Sequence, residues 1–164
     1  MLVTTHVKPL QDLMNKEHQA YFSWMFDGKV PDVVIEIVSN KTGGELDTKL
    51  RNCAHMKVEW YAVFDPAHYL SEESLTIFRR SGEEYSPHSG RSLDKVGLGL
   101  VLWEGEFEGV ACTWLRWCDA DGRLLMTGQE RAAAEASRAA AESKRAAALA
   151  AKLRELGVDP DTVA

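Results

Sequence analysis

Apolar and polar positions divide the 164-residue chain into three zones. The first, Met1 to Val30, is short and mixed. Its stretch NKEHQAYFSWMF, Asn15 to Phe26, sets Tyr21, Trp24 and Met25 at helical spacing and predicts a short helix leading into the turn Asp27-Gly28-Lys29. The second zone, Pro31 to about Met126, opens with VVIEIV, Val33 to Val38. This run is rich in β-branched residues and is bracketed by Pro31 and the cluster Ser39 to Gly44, the pattern of a strand covered on both faces. Gly44 to Met56 turns to helical periodicity through Leu46, Leu50, Cys53 and Ala54, and WYAVF, Trp60 to Phe64, returns to an apolar strand stopped by Asp65-Pro66. Strand, helix and strand within so short a span predict a βαβ crossover with parallel strands.

Leu75 to Arg79 and Glu84 to Pro87, split by Ser81-Gly82, read as a hairpin. Leu98 to Trp103 and Trp114 to Cys118 read as two further strands, with Asp121-Gly122 a turn and Leu124-Leu125 a short extended piece. The third zone, Gln129 to Leu156, is built of Ala, Glu, Arg and Lys, all strong helix formers. Thr127 suits its N-cap, and Gly157 and Pro160 mark its end. Such a helix is on the order of 40 Å long. Basic residues recur every seven positions at Arg131, Arg138, Arg145 and Lys152, while Leu149, Leu153 and Leu156 form its clear apolar stripe. A solvated helix and a self-associating one both fit this pattern, because an alanine seam drives coiled-coil pairing only weakly. The expected division is therefore 1–126, a mixed α/β domain with antiparallel additions, and 127–164, an alanine-rich helix with a short tail.

Composition changes the picture little. Hydrophobic residues make up 45% and charged residues 27%, ordinary for a folded domain. No apolar run reaches the ~20 residues of a membrane-spanning helix, and Met1 to Leu10 lacks a signal-peptide pattern, so a cytoplasmic chain with no membrane partner is expected. The three cysteines, Cys53, Cys112 and Cys118, form no CxxC pair and are expected as reduced thiols. A net charge of −6 does not advertise nucleic-acid binding, although phosphate contacts depend on local rather than total charge.

Glu36 is the residue that asks for chemistry. It sits in the middle of VVIEIV, and an ionised carboxylate buried without a partner costs several kcal/mol. It therefore needs a cation, a metal or a proton. Lys49, on the helix that follows, is the natural cationic partner. Strand alternation puts Asp32 on the same face as Glu36, but four residues at roughly 3.3 Å separate the two by about 13 Å, too far to grip one ion directly. A carboxylate, a lysine and a Mg²⁺ ion together suit phosphodiester hydrolysis. A plain ion pair without a catalytic task fits the same two residues.

The segment PDVVIEIVSNKTGGELDTKLRNCAHMKVEWYAVFDP, Pro31 to Pro66, resembles the core signature of the bacterial Uma-type putative restriction endonuclease family, within the PD-(D/E)XK nuclease superfamily. That signature runs Pro-Asp, apolar positions around a Glu, a Ser, a polar loop, a helix with Lys and Tyr, and a strand ending in Asp-Pro. The matching positions are Pro31, Asp32, Glu36, Ser39, Lys49 and the strand Val58 to Pro66. The ending LRWCDADGRLLMTGQERA, followed by the alanine-rich helix and KLRELGVDPD, is similar to the family's usual tail.

The resemblance implies a restriction-endonuclease-like mixed sheet with DNA as substrate. It implies Glu36 and Lys49 as catalytic residues, and Mg²⁺ or Mn²⁺ held by Glu36 with Asp32 as a peripheral contact. The sequence departs from the pattern in three places. The usual lysine of the (D/E)XK element would fall at Val38, and Lys49 takes its part; Cys53 stands where a tyrosine is frequent. Such nucleases also carry a further acid on the preceding strand, whereas here no acid occurs before Asp12 and His6 is a poor substitute for a hard-metal ligand. The expectation is an amino-terminally incomplete domain that cleaves DNA weakly or not at all. The alternative is a non-catalytic scaffold that recruits a partner through the C-terminal helix.

Overall fold

The computed structural model describes residues 1–5, 28–41 and 46–160. The helix expected over Asn15 to Phe26 lies outside the described residues. The chain divides into two compact units, Met1–Leu124 and Leu125–Ala164.

In the first unit, Leu2–Val3 forms β1, Val33–Ile37 β2, Thr48–His55 α1, Trp60–Phe64 β3, Leu75–Ser81 β4 and Glu84–His88 β5. The five strands make one sheet in the order β1-β2-β3-β4-β5. The expected crossover is present: β2 and β3 are parallel, with Val33 opposite Trp60 and Glu36 opposite Val63. All five residues of β3 are buried, as a central strand covered on both faces requires. β4 and β5 add the predicted hairpin, turned at Gly82 with φ of 67°.

Strand alternation sorts the core into two layers. Val33, Ile35, Trp60, Ala62 and Ile77 point to one face and meet Leu93 and Leu100. Val34, Val38, Tyr61 and Val63 point to the other and meet Cys53 of α1 and Val58. Each large apolar side chain buried in this way contributes about 1.5–3 kcal/mol. Tyr85 of β5 ties the second layer together by donating its hydroxyl to the Val58 carbonyl at 2.7 Å.

Leu93 and Leu100 come from a second sheet of Ser92–Leu93 (β6), Leu98–Phe107 (β7) and Val110–Cys118 (β8), in the order β6-β7-β8. The hairpin β7–β8 is longer than the expected strands Leu98 to Trp103 and Trp114 to Cys118. Gly105 is in fact a packing site. The Trp103 ring lies across it, so that an added Cβ would come within 2.2 Å of that ring, and Trp114 donates its indole N–H to the Gly105 carbonyl at 3.2 Å. Glu108 and Gly109 turn the hairpin with φ of 51° and 79°, both in the left-handed region that two-residue hairpin turns use. Leu124 makes a single bridge to Cys118 in place of the expected extended piece.

The second unit is α2, Gly128–Glu155. Thr127 caps it through a reciprocal box: its hydroxyl accepts from the Glu130 N–H at 3.1 Å, and the Glu130 carboxylate accepts from the Thr127 N–H at 2.7 Å. Gly157 closes the far end at φ of 78°. None of the helix residues is buried.

Asp65, at the end of β3, is 1% exposed and carries a charge. Its carboxylate accepts from the backbone N–H groups of Tyr69 at 2.9 Å, Leu70 at 2.6 Å and Ser71 at 3.3 Å, which shapes the turn at Pro66. Burial alone would push this carboxyl up, but the three N–H donors and His68 outweigh it and hold it below the ordinary carboxylate value. A depressed carboxyl contributes stability that is complete above about pH 4 and lost as pH falls through its folded value. Replacing Asp65→Asn is expected to cost about 1–3 kcal/mol at neutral pH. Denaturant unfolding at pH 7 and at pH 3 checks this: the gap between wild type and variant should narrow in acid.

Candidate active site

The crossover β2–α1–β3 positions Glu36 and Lys49. Glu36 shares the face of Val34 and Val38, the face on which α1 packs, and Lys49 lies in the first turn of that helix. Lys49 Nζ donates to Glu36 Oε2 at 3.1 Å. The other oxygen, Oε1, has no protein partner among the described residues.

The setting is less enclosed than the sequence implies. The Glu36 side chain is 27% exposed and that of Lys49 45%. Among the described residues, β1 pairs with Val33 and Val34 at the start of β2. Ile37, the next residue, is 60% exposed. A pair this open to water contributes about 0.2–1 kcal/mol, so it gives the fold little that an apolar residue could not.

One helical turn beyond Lys49, Cys53 is buried beside the same carboxylate. Burial first, and then the charge of Glu36, push its thiol up. The neighbouring Tyr85 hydroxyl is raised as well, by burial first and then by Cys53. Glu36, Cys53 and Tyr85 thus form one line of groups across the α1 face. The sequence reading missed Tyr85, which is far along the chain and carries no local signal of its role.

Asp32 is placed elsewhere, just before β2. Its Oδ2 accepts from the Thr5 N–H at 2.6 Å and the Thr5 hydroxyl at 2.9 Å, and Lys29 Nζ lies 3.2 Å away. Burial would raise this carboxyl, but the Thr5 bonds and then Lys29 hold it below the ordinary value. Asp32 therefore pins the segment after β1 to the start of β2. Its N–H also donates to the Val3 carbonyl at 3.0 Å, and the Ile35 N–H donates to the Met1 carbonyl at 2.8 Å. The structure brings Glu36 and Lys49 together and leaves Asp32 at the opposite end of the strand.

Among the described residues no three His, Cys, Asp or Glu side chains cluster as a ready-made metal cage. No described helix is long and apolar enough to cross a membrane. The three cysteines are free thiols, with Cys53 and Cys118 buried and Cys112 exposed.

No curated protein and no solved structure matches the chain. A family described as putative restriction endonuclease, Uma2, matches residues 9–104, a span that contains β2, α1, β3 and the Glu36–Lys49 pair. The match covers more than half of the chain and agrees with a mixed sheet built on a βαβ unit, and the chain belongs to the Uma2 family.

Proposed function

We propose that the chain is a metal-dependent endonuclease that hydrolyses DNA phosphodiester bonds, with Glu36 and Lys49 as its catalytic residues. One observation carries this reading: a charged pair at 3.1 Å, partly open to water, on adjacent elements of the crossover. Family membership supports a nuclease-like activity in general.

Glu36 fits as a ligand for Mg²⁺ or Mn²⁺. It offers a hard oxygen, partly exposed, with Oε1 unclaimed by the described residues. Asp32 does not share that position, because its Oδ2 already serves Thr5 and Lys29. When bound, such an ion polarises the phosphate and supplies a nucleophilic water. The chain's own contribution is to hold these groups in place. Lys49 fixes the orientation of Glu36 through Oε2 and stabilises negative charge that develops on a phosphoryl oxygen beside it. The packing of α1 through Cys53 and Ala54 keeps Lys49 in reach of β2.

Supercoiled plasmid incubated with the chain in Mg²⁺ or Mn²⁺ tests the reading. Slow nicking is expected, reduced by about two orders of magnitude or more in Glu36→Ala and in Lys49→Ala. Nicking at wild-type rate in both variants would assign the activity elsewhere, and a wild-type chain inert in both metals would favour the reading that follows.

A second reading rests on α2. A helix of 28 residues with no buried side chain asks for a partner or for solvent. Its seven-residue repeat of basic residues and its terminal Leu149, Leu153 and Leu156 fit weak self-association of two copies. In sedimentation velocity the full chain is expected to gain mass with concentration, and Leu153→Glu to stay monomeric. Monomers throughout would leave α2 as a solvated extension.

A further inference from the structure

A half-open cavity of about 490 Å³ lies between β4, the β5–β6 connection and β7. It is on the far side of the sheet from Glu36 and Lys49. Ile77 and Leu100 line it, and both belong to the core layer opposite α1. The size falls in the range of small-molecule sites.

The loop on its rim is built tightly. His88 stands edge-on to Trp60, with ring centroids 5.0 Å apart, and its Nε2 is 3.2 Å from the Ser92 carbonyl. Gly90 folds over that ring, where an added Cβ would meet His88 Nε2 at 2.6 Å. Gly99 of β7 lets the loop backbone close in, since a Cβ there would come within 2.8 Å of the Arg91 carbonyl. The Leu100 N–H donates to that same carbonyl at 3.0 Å. Arg91 is therefore held on a fixed backbone, and its guanidinium has no acidic partner among the described residues.

We propose that this cavity binds a nucleoside monophosphate. Arg91, with the Ser89 hydroxyl, supplies the charge-assisted donors that a phosphate monoester takes. Pro87 and Leu102 give an accessible apolar wall for a planar base, and the Glu73 carboxylate adds an acceptor for the exocyclic amine of cytosine or adenine. The site is independent of the Glu36–Lys49 reading and stands or falls apart from it.

Calorimetric titration of the full chain with dCMP, deoxycytidine and inorganic phosphate tests it. The nucleotide is expected to bind, with each fragment at least about tenfold weaker. Arg91→Ala should weaken dCMP by about tenfold or more, Arg91→Lys less, and Glu36→Gln not at all. Arg91 is exposed, so these variants should melt like wild type, which a thermal scan verifies. Amide shifts at Gly90, Arg91 and Leu100 on adding dCMP would locate the ligand. Absence of binding, equal affinity for inorganic phosphate and dCMP, or unchanged affinity in Arg91→Ala would each overturn the assignment.

Discussion

The parallel crossover sets a helix lysine against a strand carboxylate, and the candidate site depends on that one ion pair, Lys49 to Glu36. β2 is made of β-branched residues that want burial on both faces, yet its fourth residue is Glu36. There α1 returns across the sheet and delivers Lys49 to 3.1 Å from Oε2, and both side chains stay partly open to water. The arrangement needs the parallel crossover, since only a helix lying over β2 and β3 can place its first turn above the end of β2.

The two layers of the core divide the labour. On the α1 face, Cys53, Val58, Tyr61 and Tyr85 fill the space behind the charged pair and hold the helix at its distance. On the opposite face, Leu93 and Leu100 of the second sheet cover Val33, Ile35 and Trp60, which leaves the α1 face to the charged pair. The rim of that second interface is polar. Arg79 stacks over Trp60 and pairs with Glu59 and Asp94, so the indole is roofed by a neutralised cluster rather than by open solvent. Asp32 and Asp65 act as fasteners at the two ends of the parallel pair. Each is a carboxylate that offsets its own burial with backbone N–H donors.

Much of this was legible in the chain. The run VVIEIV, the helical spacing through Leu50 and Cys53, and WYAVF stopped by Asp65-Pro66 each carry a local signal, and together they specify the crossover. The pairing of Glu36 with Lys49 was expected from the cost of a buried charge; the pair is present, but the carboxylate is 27% exposed and that cost is correspondingly small. What escaped was set by distant partners. The exposure of Glu36, 27% at the side chain, is recorded by no pattern within β2. The strand read as ending at Trp103 runs on to Phe107 past Gly105, where the Trp103 ring covers the glycine, a packing contact that the local pattern does not record. The roles of Thr5 and Tyr85 arise from contacts across 27 residues of sequence in each case. The thresholds at the two ends of α2 were plain, because a capping box and a terminal glycine are local chemistry.

The central claim is that Glu36 keeps one oxygen for a divalent cation while Lys49 holds the other. Thermal melting of the chain across a Mn²⁺ titration tests it most directly, since a ligand that binds only the folded state raises the melting temperature. Wild type should rise by a few degrees as Mn²⁺ passes about tenfold above its dissociation constant. Glu36→Gln should lose that rise, and Lys49→Met, which frees Oε2 from the ammonium, should keep or enlarge it. A wild-type melt that ignores millimolar Mn²⁺, or an equal rise in Glu36→Gln, would contradict it.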